Sequence, residues 1–488
     1  MTFMTWIKRL RPWMFAALAL LLLPALLPYA HAEQLPCTHD NALHYHRIVA
    51  LREMMRHGWL FSRWVPNLAL GYGYPFFNFR EPAPYLAGAL LYLVGMPLPL
   101  VLGLFYALSF LAAGWGAYVL ARDLWGDPRA AWISAAAYGL GPYLLIDALR
   151  RGNLPESVAL ALLPWLMITF RRLILKGGRG PFLASIGLLV TLFLSHNISS
   201  LLFAPFLGGY VILLAWFHRE KGAWPWAFGA VALAVALTAW FWGPALLEQD
   251  TVQLHLSRTT RNNDFHYNFA TWREMIFSLP APYDPDFLNP PMRVPLGVVR
   301  FALALVGAVV GLWRGADNER GAHYERLALT VYFAVMTFGY LWMSTEASVR
   351  IWETVPMLPF IQFPWRLIGR ALLPASLLAG LAVHSLRPSR NTQYAIRNTQ
   401  YVFYVLFVLL LISTWPLTFP PKGTCEMDAF PDLTNVYAFE RAGWMGVDPD
   451  QAWGKAFTLA GGGQPGNGAQ GDGVIPAQAQ GQMRPDQG

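Results

Sequence analysis

The chain has 488 residues, 55% of them hydrophobic and only 13% charged, at a mean hydropathy of +0.36. Soluble domains carry roughly 25% charged residues, so the composition excludes an ordinary soluble enzyme and predicts an all-α, polytopic transmembrane bundle. The net charge of +8 does not signal nucleic acid, because the basic residues form short clusters between apolar runs rather than a continuous stripe, and two cysteines are too few for a disulfide framework or a thiolate metal site.

Lys8, Arg9 and Arg11 precede an apolar run over 12–29 that is long enough for one span, with its basic flank in the cytoplasm. Ala30-His31-Ala32 also fits a signal-peptide cleavage site, but the run exceeds a usual signal core and a retained helix is expected. The first outer loop, 31–85, is neither apolar enough to cross a bilayer nor polar enough to be a linker. Within it, the spacing of Leu43, Ile48, Leu51, Met54 and Met55 predicts a helix lying on the membrane surface. The stretch GYGYPFFNF reads as a folded loop lined with rings. Gly95-Met96-Pro97 breaks the next apolar run into a short re-entrant or interfacial helix and a second span at 98–121.

Further spans are expected at 130–148, 155–172, 181–195, 199–217, 224–243, 296–313, 325–343, 366–386 and 401–419, about eleven in all. This puts the basic loops inside, a long loop over 248–295 outside, the N-terminus in the cytoplasm and the C-terminus outside the cell membrane. The short tandem copy RNTQY-AI-RNTQY reads as an insertion in a cytoplasmic loop. The tail over 438–488, rich in Gly and Gln, reads as disordered. The same topology puts Cys37 and Cys425 on the oxidising side, where they can form a disulfide.

Five motifs follow in order: DNALHYHR from Asp40, W-x-x-x-R-W-x-P-x-L-A-x-GYGYP-x-FNF from Trp59, RGNLPE from Arg151, SHN from Ser195 and QFPWR from Gln362. Over about residues 1–437 the chain resembles the bacterial membrane proteins known as 6-pyruvoyl-tetrahydropterin synthase-related. Their layout is similar to that of GT-C glycosyltransferases using polyprenyl-phosphate sugars. The pterin chemistry in the name is not carried over, since pterin synthases are soluble zinc enzymes. The chain departs from the pattern at Arg80-Glu81-Pro82, where relatives continue with an aromatic and prolines.

The resemblance implies a membrane glycosyltransferase that moves a sugar from a polyprenyl-phosphate carrier to an acceptor outside the cell membrane, with Asp40 as general base. It also implies Glu156 as a second acid that orients the acceptor or, with Asp40, helps hold a divalent cation such as Mg or Mn. Independently, the predicted topology brings Asp40, Arg150, Arg151, Glu156, His196 and Arg366 to the outer ends of helices. Arg151 and Arg366 suit a phosphate, because guanidinium forks match its oxygens. His196 interrupts an apolar run, where a polar group is costly. Tyr72, Tyr74 and Asn78 are candidates for a sugar platform.

Each of these has a plainer role open to it. Asp40 suits a helix cap, Glu156 a helix start, Arg366 an interfacial anchor and the loop tyrosines simple packing. His39, His44 and His46 invite a metal reading, but His44 and His46 stand two apart on a helix and point to different sides. A transporter or lipid flippase and a non-catalytic envelope assembly protein are the alternatives. Against transport stands the lack of an inverted repeat, and the charges gather at helix ends rather than near the midplane.

Overall fold

A computed structural model of the chain describes residues 12–69, 71–249, 263–277, 294–314, 322–386, 393–420 and 423–441. The helices are α1 (Pro12–Leu26), α2 (Asn41–Arg56), α3 (Ala83–Leu93), α4 (Leu98–Trp125), α5 (Pro128–Gly139), α6 (Leu154–Lys176), α7 (Arg179–Ser195) and α8 (Asn197–Phe217). They continue with α9 (Trp224–Leu247), α10 (Val298–Arg314), α11 (Ala322–Met343), α12 (Arg366–His384), α13 (Gln393–Thr414) and α14 (Leu433–Arg441). Among the described residues seven helices are long and apolar enough to cross a membrane, and four shorter apolar ones accompany them. The expected span at 130–148 is not one helix. Gly141-Pro142 breaks it, since proline cannot donate to the preceding turn, and a short helix, Pro142–Ile146, resumes beyond.

Helix α12 is the axis of the bundle: 94% of its apolar window is buried, against neighbours α4, α5, α10 and α11. Close approach requires small residues. A Cβ on Gly307 of α10 would lie 1.9 Å from the Leu378 carbonyl, and one on Gly380 would lie 2.3 Å from Ser134 Oγ of α5. Its first turns, bearing Arg366 and Arg370, are therefore held deep in protein.

At one end of the bundle the segment after α1 folds over the helices. Strand β1 (Gln34–Pro36) pairs antiparallel with β2 (Thr424–Glu426), and Cys37 is disulfide-bonded to Cys425 with Cα atoms 5.2 Å apart. Residues that follow β2 tie down α2 and α3, with the Tyr45 hydroxyl donating to the Asp428 carbonyl (2.6 Å) and Tyr92 to that of Pro431 (2.6 Å). Helix α14 packs on α2, where His46 stacks on Phe439.

Helix α2 does not lie on a membrane surface. Ten of its sixteen residues are buried, including Ala42, Tyr45, Val49 and Ala50 on the side opposite the expected stripe, because protein covers both faces. The second copy of the RNTQY repeat is not a loop but lies within α13, which begins at Gln393 in the first copy. Of the tail, residues 438–441 close α14 and 442–488 lie outside the described residues, as does most of the expected loop 248–295.

The disulfide closes a loop across nearly the whole chain, so its loss releases much unfolded-state entropy. Cys37→Ser is expected to lower stability by about 2–4 kcal/mol, read as the thermal midpoint in detergent. Cys425→Ser should do the same and the double variant no more; additive losses would contradict the pairing.

Candidate functional site

The site is built around a turn that departs from α-helical geometry. After Pro142–Ile146 the chain makes a π-helical turn, Asp147–Arg151, ending at Gly152 with φ +73°. A Cβ there would lie 2.0 Å from Thr38 Oγ1 and 2.8 Å from Asn41 Oδ1, so only glycine lets the first loop dock on this turn. The docking is through backbone: His39 N–H donates to the Arg150 carbonyl (3.2 Å) and Asp40 N–H to that of Arg151 (2.7 Å). Asn41 holds the loop from behind, donating to the Pro36 carbonyl (3.1 Å) and accepting from the Tyr106 hydroxyl (2.7 Å).

Arg151 then meets three carboxylates. Its Nη1 donates to Asp147 Oδ1 (3.1 Å) and to Glu156 Oε2 (2.5 Å), while its Nε lies 3.8 Å from Asp40 Oδ2. Glu156 is completely buried, in the first turn of α6, where an acid is favoured by the helix dipole; Asn153 caps that turn. Its Oε1 accepts from Arg370 Nη1 (2.5 Å) and the Tyr143 hydroxyl (2.7 Å), and Arg366 Nε stands 3.9 Å from Oε2. Asp147 accepts a further bond from Ser157 Oγ (2.9 Å). Arg370 Nη2 donates to Ser199 Oγ. Arg366 and Arg370 sit at the positive end of α12, an unfavourable place for cations, and Glu156 offsets both.

The structure thus brings Asp40, Arg151, Glu156, His196 and Arg366 to one end of the bundle. Asp40 occupies the N-cap position of α2, but its side chain makes no capping bond, and Thr38 Oγ1 accepts from Asn41 N–H instead. The Asp40 side chain is 30% exposed, against 2% for Asp147 and 0% for Glu156. Both Glu156 oxygens are engaged by arginines and a tyrosine. Asp40 and Glu156 do not fit a shared divalent cation, since the Arg151 guanidinium stands between them; among the described residues no three His, Cys, Asp or Glu side chains form a metal site. Arg366 is 5% exposed and so is no interfacial anchor.

His196 Nδ1 accepts from Ser199 N–H (3.1 Å), capping α8, and burial pushes the imidazole well below its ordinary pKa. Glu81 accepts from Asn197 N–H (2.6 Å) beside it, its carboxyl pushed up by burial. Tyr72 stays outside the cluster, 83% exposed. Tyr74 pairs with Val65 in a local bridge, and Asn78 donates to Glu248 Oε2 (2.7 Å). Arg150 points outward.

Sequence reasoning passes over Tyr143, Asp147, Ser199 and Arg370. Two leave a signal: Arg370 is a charge inside an apolar span, one turn from Arg366 on the same face, and Asp147 closes an apolar run. Tyr143 and Ser199 leave none.

A family model described as 6-pyruvoyl-tetrahydropterin synthase related domain, membrane protein, matches residues 77–419. No curated protein matches the chain. Among solved structures, the mycobacterial arabinofuranosyltransferase AftD, in a mutant form, aligns at 18% identity and a TM-score of 0.51, over 89% of this chain and 30% of that one. The apo oligosaccharyltransferase of Archaeoglobus fulgidus aligns at 13% identity and a TM-score of 0.41, over 89% of this chain and 58% of that one. This chain therefore spans less than two thirds of either protein. At 18% identity the likeness to the arabinofuranosyltransferase is one of fold alone.

Removing the charge that joins three arginines leaves Arg366 and Arg370 buried without their carboxylate partner, while Arg151 keeps Asp147 and Asp40. Glu156→Ala is expected to cost about 3–5 kcal/mol, seen as a lower thermal midpoint and poor recovery from membranes; an unchanged midpoint would contradict the account. Burial also holds His44 and His196 neutral, well below the ordinary 6.5, and pushes His46 down to about 3. Below pH 6.5 the unfolded chain binds protons that the folded one refuses, so stability falls as pH drops from about 7 to 5. His46→Phe should flatten that fall in a thermal-midpoint series, and a slope unchanged in the variant would contradict the assignment.

Proposed function

The chain belongs to the 6-pyruvoyl-tetrahydropterin synthase-related family of membrane proteins, and we propose that it is a glycosyltransferase that takes its sugar from a polyprenyl-phosphate carrier. The observation that carries this reading is the contrast among the site's carboxylates. Asp147 and Glu156 are sealed among arginines, whereas Asp40 stands at the rim, ion-paired to Arg151 yet with no side-chain hydrogen bond among the described residues.

In the proposed reaction the Asp40 carboxylate takes the proton of the acceptor hydroxyl. The hydroxyl oxygen attacks the anomeric carbon as the bond from that carbon to the phosphate oxygen breaks. The negative charge gained by the departing lipid phosphate is stabilised by Arg151 and Arg366. Hydroxyl and phosphate can meet there because the polyprenyl tail remains in the bilayer while the charged groups gather at a helix end.

The Cys37–Cys425 disulfide supports placing this end of the bundle outside the cell membrane, since such bonds persist in oxidising compartments. The basic groups at Arg171–Arg172, Lys176–Arg179 and Arg219–Lys221 then fall inside, with the N-terminus. The fold of the arabinofuranosyltransferase supports the class of reaction; the sugar and acceptor are left to assay.

In lipid discs with a radiolabelled polyprenyl-phosphate sugar pool, the wild type is expected to release lipid phosphate. Asp40→Asn should lose on the order of 10²–10⁴-fold in rate, the usual worth of a general base, while keeping its fold and donor binding. Absence of lipid phosphate release from any donor would favour transport or assembly instead.

A further inference from the structure

Helix α2 places His44 one turn after Asp40, on the same face, and no role described so far uses it. Its Nδ1 lies 2.8 Å from the Tyr85 hydroxyl, which also receives a hydrogen bond from Arg47 Nη1 (3.4 Å). With the guanidinium donating into the phenol oxygen, the phenol proton is directed at Nδ1, and the neutral imidazole carries its own proton on Nε2. That Nε2 is buried without a partner.

It has company. Trp365 Nε1 and Arg366 Nε are also buried nitrogens that lack a hydrogen-bond acceptor. Trp365 is within cation-π distance of Arg151, at 5.4 Å, and its ring is 6.3 Å from that of Tyr143. His44 feels the charges of Arg47, Arg80 and Arg151. His44 and Trp365 thus each lie near Arg151, which shares Glu156 with Arg366 and reaches the partly exposed Asp40. Orphaned donors set around such a group of arginines are what an anion site looks like without its anion, because a buried N–H left unpaired is costly. The three residues retain 4–6% exposure although the nitrogens themselves are buried, whereas Arg370, whose Nε is also orphaned, is 0% exposed.

We propose that His44 is a further substrate-binding residue, donating from Nε2, together with Trp365 Nε1 and Arg366, to oxygens of the carrier's phosphate. This rests on the lipid-phosphate donor reading above. A neutral donor is well matched to that role, because it recognises the anion without adding another cation to a site where Arg151, Arg366 and Arg370 already crowd Glu156. Burial keeps the imidazole in that neutral form.

The experiment is binding of a polyprenyl monophosphate to the full chain in lipid discs, with the matching polyprenol and inorganic phosphate as the other arms. The wild type is expected to bind the lipid phosphate in preference to both. His44→Phe, which keeps the ring but removes the donor, should weaken it by about ten- to a hundredfold, the worth of one hydrogen bond to a charged group. His44→Gln restores an N–H donor and should recover most of the loss, which a purely structural role would not allow. Trp365→Phe should weaken binding in the same direction, and serves if His44→Phe does not fold.

Equal affinity in His44→Phe and wild type would overturn the proposal alone. Equal binding of polyprenol would overturn it together with the lipid-phosphate reading, and inorganic phosphate matching the lipid would overturn the assignment to a lipid headgroup.

Discussion

The arrangement depends on the Arg151 guanidinium and the carboxylates it holds. Burying a charge is expensive unless it is paired and hydrogen-bonded, and here a fully buried glutamate is shared by Arg151 and Arg370, with Arg366 beside it. None of these groups would be tolerated alone between apolar helices. Together they join the π-turn before α6, the start of α6 and the first turns of α12, and through Ser199 the start of α8. The result is a stiff cationic floor at one end of a helical bundle.

On that floor the first loop sets Asp40 by backbone rather than by side chain. Gly152 removes the obstacle, the Arg150 and Arg151 carbonyls receive the loop, and the Cys37–Cys425 bond ties it to the segment before α14. The consequence is a division of labour among acids of one type. Glu156 neutralises arginines and Asp147 hydrogen-bonds Arg151 where water does not reach, and the Asp40 side chain stays partly exposed. Of the three carboxylates that meet Arg151, Asp40 keeps the most exposed side chain, which is what the proposed base requires.

Much of this is legible in the sequence because it follows from periodicity and charge. The apolar runs, their basic flanks and the break at Gly95-Met96-Pro97 predict helices close to those observed, and the gathering of Asp40, Arg151, Glu156, His196 and Arg366 follows from placing helix ends on one side. What is not legible depends on tertiary contact. Helix α2 has one good apolar stripe, and nothing in it announces that α14 and the segment after β2 would cover the rest. The role of Glu156 turns on partners far along the chain, above all Arg370, which is hidden inside a span. Tyr72 and Tyr74 look like a platform because aromatic and glycine residues serve both sugar stacking and loop packing, and composition does not distinguish the two.

The most direct test of the central claim, that this end of the bundle receives a phosphate-linked sugar with Asp40 facing the acceptor, is an experimental structure in lipid discs with a non-transferable polyprenyl-phosphate sugar bound. The account predicts the phosphate beside Arg366 and Arg151, with the anomeric carbon on the Asp40 side and the tail leaving between helices into lipid. A headgroup bound at the opposite end of the bundle, or one separated from Asp40 by packed protein, would contradict it.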